Sequence, residues 1–361
     1  MKILHTESSC GWGGQEIRIL EEAHGMSTRG HSVAIVAPRE ARIYEAALKR
    51  GLSAEALPIA GKNPTGFLAM RRWLQVHPVD VINTHSSTDS WLAALACATI
   101  ARAPAIVRTR HVSAPVPNNP PTRWLYGRAT RHIVTTGETL RTQLIRDNRL
   151  RPERITSVPT GIDATRFIPG ERDAARRLTG LPTDRRLVGI VATLRSWKGH
   201  RYLIEALSLL PEDVGLVIVG DGPQRQNIES KTRELGLGGR TWLAGNQDDV
   251  LPWLQSLDVF ALPSYANEGI PQALVQAMLC GLPCVTTAAG SIGEIARDGE
   301  TAIAVKVEDA ADLRLGLERA LGDARLCERL GTAARQYCAA NLDVETMLDR
   351  MEKVFRDVAH A

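Results

Sequence analysis

Aromatic side chains are scarce, at 4% of a 361-residue chain. A protein so short of stacking platforms is poorly equipped to hold single-stranded nucleic acid, and no nucleic-acid partner is expected. No apolar run reaches the roughly 18 to 20 residues that span a bilayer. The opening MKILHTESS runs straight into a strand-like segment and lacks a signal peptide's apolar region and small-residue cleavage site. A soluble, cytoplasmic chain is the expectation. The six cysteines are scattered, and although Cys280 and Cys284 flank CGLPC, no His or Cys cluster completes a zinc site. Buried free thiols and no bound metal are expected. Internal repeats of the solenoid kind and low-complexity tracts are also missing.

What is present is apolar substance and an uneven charge. Hydrophobic residues make up 44% of the chain, enough for real cores, and the length predicts about two domains. Residues 1–170 carry 22 Lys and Arg against 13 Asp and Glu, a balance of +9. Residues 171–361 carry 22 against 27, a balance of −5. The basic first part suits anionic headgroups or phosphorylated acceptors, and equally a solvated charged face.

β-Branched runs alternate with helical periodicity throughout. KILHT, SVAIVA, DVINTH, AIVRTR and HIVTT read as buried parallel strands in the first part, LVGIVA, GLVIVGD, VFALPS and PCVTT in the second. Between them lie helix-like stretches such as TGFLAMRRWLQV and IPQALVQAML. This rhythm predicts open parallel sheets with ligands at the carboxyl ends of the strands. It falters at SVPTGIDATRFIPGERDAARR, which places a domain boundary there.

Four strand ends carry chemistry. CGWGGQE follows the first strand, where Gly11, Gly13 and Gly14 permit a tight turn into a helix. It is neither a dinucleotide fingerprint, because the spacing fails at Glu16, nor a P-loop, because no Gly-Lys-Ser/Thr follows. His85 and His111 end the strands DVINTH and AIVRTR, where a histidine can exchange hydrogen bonds near neutral pH or serve structure alone. VATLRSWKGH sets Arg195 and Lys198 just before a helix, an arrangement suited to a diphosphate and equally to surface charge. VGDGPQ follows, with Asp221 between two glycines. In NEGIPQALVQAM, Glu268 and Gly269 stand ahead of a helix, Pro271 suits its first turn, and Gln272 and Gln276 share a stripe. GSIGEI with Glu294 comes last.

In this order the motifs resemble the retaining GT-B glycosyltransferases of family four, over nearly the whole chain and most specifically in its second half. The resemblance implies an α/β fold of two Rossmann-like domains with parallel sheets facing an interdomain cleft. An acceptor domain is expected at 1–165, a nucleotide-sugar domain at 166–342, and a helix at 343–361 returning to the first. By match, Glu268 should contact donor-sugar hydroxyls. Gln276 stands where a second acid usually holds the ribose, and its carbonyl oxygen still accepts. Ile270, Pro271 and the turn that follows would supply backbone groups near the phosphates, with Gly269 allowing the close approach. Lys198 matches the diphosphate lysine. Thr193 stands where the family's arginine is usual, leaving Arg195 as the substitute. Trp242 and Leu243, in WLAG, resemble a loop whose backbone reads the base. His111 matches a histidine beside the reacting centre, and Gly13 and Gly14 a loop near phosphate and acceptor.

The resemblance also implies metal-independent, retaining transfer from a UDP- or GDP-linked sugar, without cofactor. The acceptor would be a glycan or lipid-linked molecule of cell-surface polysaccharide or lipopolysaccharide synthesis, with peripheral contact at the inner membrane face. Two other readings stay open, a nucleotide-sugar-binding protein without transfer and a GT-B-fold epimerase.

Overall fold

The computed structural model of the protein describes residues 1–360. The chain divides into two compact units, residues 1–161 with the returning segment from Glu345, and residues 162–344.

The first unit holds a seven-stranded sheet in the order β3-β2-β1-β4-β5-β6-β7, every pair parallel. Its strands are β1 (Lys2–Thr6), β2 (Ser32–Ala37), β3 (Ser53–Ala56), β4 (Val81–Thr84), β5 (Ala105–Arg110), β6 (His132–Thr135) and β7 (Ile155–Ser157). The central β4 is buried along its length, as expected where helices cover both faces. The edge strands β3 (SAEA) and β7 (ITS) carry too few apolar residues to announce themselves, because an edge is only half covered.

Helix Gly14–Thr28 packs against the last helix, Val344–Ala359, at Gly25, where a Cβ would stand 2.3 Å from Leu348 Cδ1. Arg29 then grips Glu345, Asp349 and Glu352 at 2.6, 2.8 and 3.1 Å. Apolar packing and this charge cluster together hold the returning helix.

The second unit holds six parallel strands in the order β10-β9-β8-β11-β12-β13. They are β8 (Arg186–Val191), β9 (Val214–Val219), β10 (Thr241–Gly245), β11 (Val259–Leu262), β12 (Cys284–Thr286) and β13 (Ile303–Ala304). WLAG is therefore part of an edge strand, where a loop was expected. In each unit the strand order reverses once, at β1/β4 and at β8/β11, and each reversal opens a crevice at the strands' carboxyl ends. Among the described residues no helix is long and apolar enough to cross a membrane.

Candidate active site

The crevice of the second unit is built by the loops leaving β8 and β11. Lys198 ends a short turn, Ser196–Lys198, and its Nζ donates to Glu268 Oε1 at 2.7 Å. Gly199 makes this possible. Its φ of 76° is left-handed, and a Cβ there would lie 2.0 Å from the Pro263 carbonyl oxygen. The Tyr265 amide donates to Trp197 O at 2.9 Å, so the two loops are joined through backbone as well.

Glu268 is fixed just as firmly. Asn267 before it is left-handed, with φ 60°, and the Ser291 amide donates to Glu268 O at 3.2 Å. A Cβ on Gly290 would sit 2.1 Å from that same oxygen. Glu268 is 5% exposed. Pro271 caps the following helix, Gln272–Leu279, from extended backbone (φ −73°, ψ 127°), one position before the first turn it was expected to enter. Gly269 and Ile270 are buried in the approach, and Gln276 is half-buried with no side-chain partner among the described residues.

The other expected donor residues are placed less tightly. Arg195 is exposed and forms no ion pair among the described residues; its guanidinium lies 5.8 Å from the Trp197 ring centre. Lys198 and Glu268 are thus brought together, and Arg195 is not. The half-buried Thr193 accepts at its carbonyl from the Arg195 amide at 2.7 Å. Asp221 accepts from the Gly222 amide at 2.7 Å and from Arg225 Nη1 at 3.4 Å. Trp242 and Leu243 are half-buried on β10.

In the first unit, helix Gly14–Thr28 begins after Gly13, whose φ of 179° is ordinary extended backbone. Gly11, Gly13 and Gly14 all lie outside the left-handed region, so the turn does not use the conformational freedom the sequence offered. His111 follows β5 and is half-buried, and its Nε2 lies 3.0 Å from His85 Nδ1. No group of three or more His, Cys, Asp or Glu among the described residues is placed to hold a metal.

Two family models cover most of the chain: "Glycosyltransferase Family 4" over residues 12–166 and "Glycosyl transferases group 1" over residues 171–337. The chain belongs to this glycosyltransferase family. A D-inositol 3-phosphate glycosyltransferase of Mycobacterium tuberculosis (strain H37Rv) is 28% identical over 95% of this chain and 78% of its own length. Two solved structures share the fold of this GT-B glycosyltransferase. Anabaena HepE, in complex with UDP-glucose, is 22% identical with a TM-score of 0.88, over 99% of this chain and 100% of that one. WaaG, a glycosyltransferase involved in lipopolysaccharide biosynthesis, is 19% identical with a TM-score of 0.76, over 98% and 99%.

The strand-end motifs of this glycosyltransferase did not disclose everything the two crevices contain. His200, after Gly199, is buried, and burial with the neighbouring Lys198 charge pushes its pKa down to about 3. Beside the glycine turn, Glu7 accepts from the Ser9 amide at 2.6 Å, from Ser86 Oγ at 2.5 Å and from Gln15 Nε2. Asp89 closes a capping box with Ser86 and accepts from Thr6 Oγ1 at 2.7 Å. The SSTD run carried a readable cap signal; nothing marked Glu7, because what joins it to that cap is Ser86, 79 residues away in the chain.

Burial, then the Asp89 charge, raises the Glu7 carboxyl to about 8, and burial raises Asp89 to about 6. Both folded-state values exceed the ordinary 4.5 and 3.8. The folded protein therefore keeps protons that the unfolded chain releases, and stability is full below the unfolded values and lost as pH rises through the folded ones. Above about pH 6.5, where the buried histidines no longer contribute, Tm is expected to fall until about pH 9, and Glu7→Gln to flatten that slope. A wild-type Tm that climbs over this range would show that Glu7 is ionised in the fold.

Proposed function

We propose that this glycosyltransferase moves a sugar from a nucleoside-diphosphate sugar, UDP- or GDP-linked, to a glycan or lipid-linked acceptor, with retention at the anomeric carbon. The observation that carries the reading is the Lys198–Glu268 pair at the β8/β11 crevice. A cation and a carboxylate held side by side can divide the work on a sugar diphosphate. Lys198 would leave Glu268 for the phosphates while Glu268 accepts from sugar hydroxyls. Charge grows on the departing diphosphate as the glycosidic bond breaks. Lys198 and the amide groups opening helix His200–Ser208 would stabilise it most in the transition state, where stabilisation raises rate. The UDP-glucose complex of HepE supports a donor of this class, and WaaG supports a surface-glycan acceptor.

Metal independence is part of the proposal, since Lys198 and helix amides supply positive charge at the phosphates; turnover should survive EDTA. Peripheral contact with an anionic membrane has support in the first unit, where Arg149, Arg151 and Arg154 line a groove of about 140 Å³ beside Tyr126. Co-sedimentation with phosphatidylglycerol vesicles measures it.

A thermal-shift panel of UDP-, GDP- and ADP-sugars tests the donor. A ligand at about 100 times its Kd adds roughly 2.7 kcal/mol, a readily measured rise in Tm. NMR of the anomeric proton in the product then reads retention. No shift with any nucleotide sugar would end the reading. A shift without transfer to any acceptor would leave a binding protein, and isomerised donor without acceptor an epimerase.

A further inference from the structure

Three histidines from three neighbouring strands stand in one file. His5 lies in β1, His85 just after β4 and His111 just after β5. His5 Nδ1 is 3.1 Å from His85 Nε2, and His85 Nδ1 is 3.0 Å from His111 Nε2. The first two rings are stacked, with centres 5.3 Å apart and planes 13° apart, and the Phe355 ring meets His5 edge-on. His5 is fully buried and His85 nearly so.

At the inner end, His5 Nε2 faces Glu22 Oε1 at 4.0 Å and has no hydrogen-bond partner. Glu22 is itself buried. Burial raises its pKa above the ordinary carboxylate value, and two contacts oppose that: Arg18 Nε at 3.6 Å and a hydrogen bond from Asn83 Nδ2 at 2.9 Å both favour the carboxylate form. At the outer end, His111 Nδ1 has no protein partner among the described residues, and the ring is half-buried.

Burial and the charge of Arg18 hold His5 near 3, and burial keeps His85 and His111 well below the ordinary range, with Arg18 and Arg110 adding to this at His111. All three rings are therefore neutral near pH 7. A neutral imidazole has one N–H and one lone pair, so each contact in the file needs one of each. Only two arrangements satisfy both contacts. In one, every ring carries its proton on Nε2, His111 donates to His85 and His85 to His5, and His5 Nε2–H points at Glu22. In the other, every proton sits on Nδ1, and a bare His5 nitrogen confronts the carboxylate. Passing from the first to the second takes one proton from His5 Nε2 and adds one at His111 Nδ1, with one proton shifted inside each ring contact. In a dry interior the carboxylate selects the first.

We propose that His5 and His85 form a tautomer relay through which Glu22 keeps His111 protonated on Nε2 and bare on Nδ1, making His111 a hydrogen-bond acceptor for a substrate hydroxyl. The hydroxyl rests on the transferase reading; the tautomer does not. His5, His85 and Glu22 are positioning residues, and His111 alone meets substrate.

The test is ¹⁵N NMR of the histidine-labelled full chain without ligand, where pyrrole-like and pyridine-like nitrogens are distinguished by shift and by coupling to the ring protons. The wild type is expected to show His111 with Nε2 pyrrole-like and Nδ1 pyridine-like. His5→Phe removes the acceptor for His85 Nε2–H and should exchange the two at His111. Steady-state kinetics of that variant should show kcat lowered by about tenfold with donor KM unchanged, the sign of a contact made in the transition state. Wild-type His111 protonated on Nδ1 would overturn the relay even if the variant failed to fold, as would a His111 tautomer indifferent to His5→Phe. A flipped tautomer with full turnover would remove the acceptor role. Absence of any transfer by the wild type would count against the transferase reading and leave the spectrum to decide the relay.

Discussion

Lys198→Ala is expected to lower kcat by about 10²-fold or more, the usual effect of deleting one donor aimed at developing negative charge. The same change should cost stability. Glu268 is 6% exposed at its side chain and Lys198 18%, so alanine strands a nearly buried carboxylate. Leaving a buried charged group unsatisfied costs about 1–3 kcal/mol or more. Loss of activity and loss of fold are therefore confounded in the single variant. Pairing Lys198→Met with Glu268→Leu removes both charges and leaves no buried polar group unpaired, and such apolar replacements are often neutral for stability. The double variant should regain the wild-type denaturation midpoint while turnover stays down. Arg195→Ala is the contrast. Its side chain meets solvent and the Trp197 ring, so a smaller loss is expected. If Lys198→Ala folded and kept wild-type kcat, the diphosphate would have to be met elsewhere and the proposed chemistry would fail.

The legible parts of the fold were those buried on two faces. LVGIVA and GLVIVGD announce β8 and β9 because helices cover both sides and nearly every position must be apolar. SAEA and ITS do not, because edges relax that demand. Lys198 and Glu268 were legible as separate motifs, while their contact depends on strand order: it arises because β11 lies beside β8, which no local pattern states. Strand order also makes the histidine file. His85 and His111 could be placed at strand ends, but His5 joins them only because β4 sits between β1 and β5. Arg195 shows a different limit. Leu194 is fully buried and Arg195 is extended, and extended backbone sends successive side chains to opposite sides, so burying the leucine turns the arginine outward. Spacing to Lys198 alone could not reveal that alternation.

Gly199→Ala is expected to be among the most damaging single methyls in the second unit. Two costs add at this position. A left-handed backbone costs an alanine roughly 1–2 kcal/mol, and the new Cβ would lie 2.0 Å from Pro263 O and 2.7 Å from its carbonyl carbon. That obstacle is backbone, tied to β11, so it cannot swing aside as a side-chain tip would; overpacking of this kind costs about 1–3 kcal/mol, occasionally more. A total of about 2–5 kcal/mol should appear as a lowered denaturation midpoint. Gly180→Ala isolates the first cost, because Gly180 has φ 69° and nothing within 4 Å of the added Cβ. It should lose only about 1–2 kcal/mol. The two variants should diverge further in turnover. Relief of the Pro263 clash requires the turn Ser196–Lys198 to move away from the β11 loop, and that motion takes Lys198 off Glu268. Since a displacement of about 1 Å at a reacting centre can cost on the order of 10²-fold, folded Gly199→Ala protein should turn over slowly while Gly180→Ala stays near wild type. Equal stability and equal turnover in the two would mean that the loops yield freely, and that Lys198 is not held in place by the contact at Gly199.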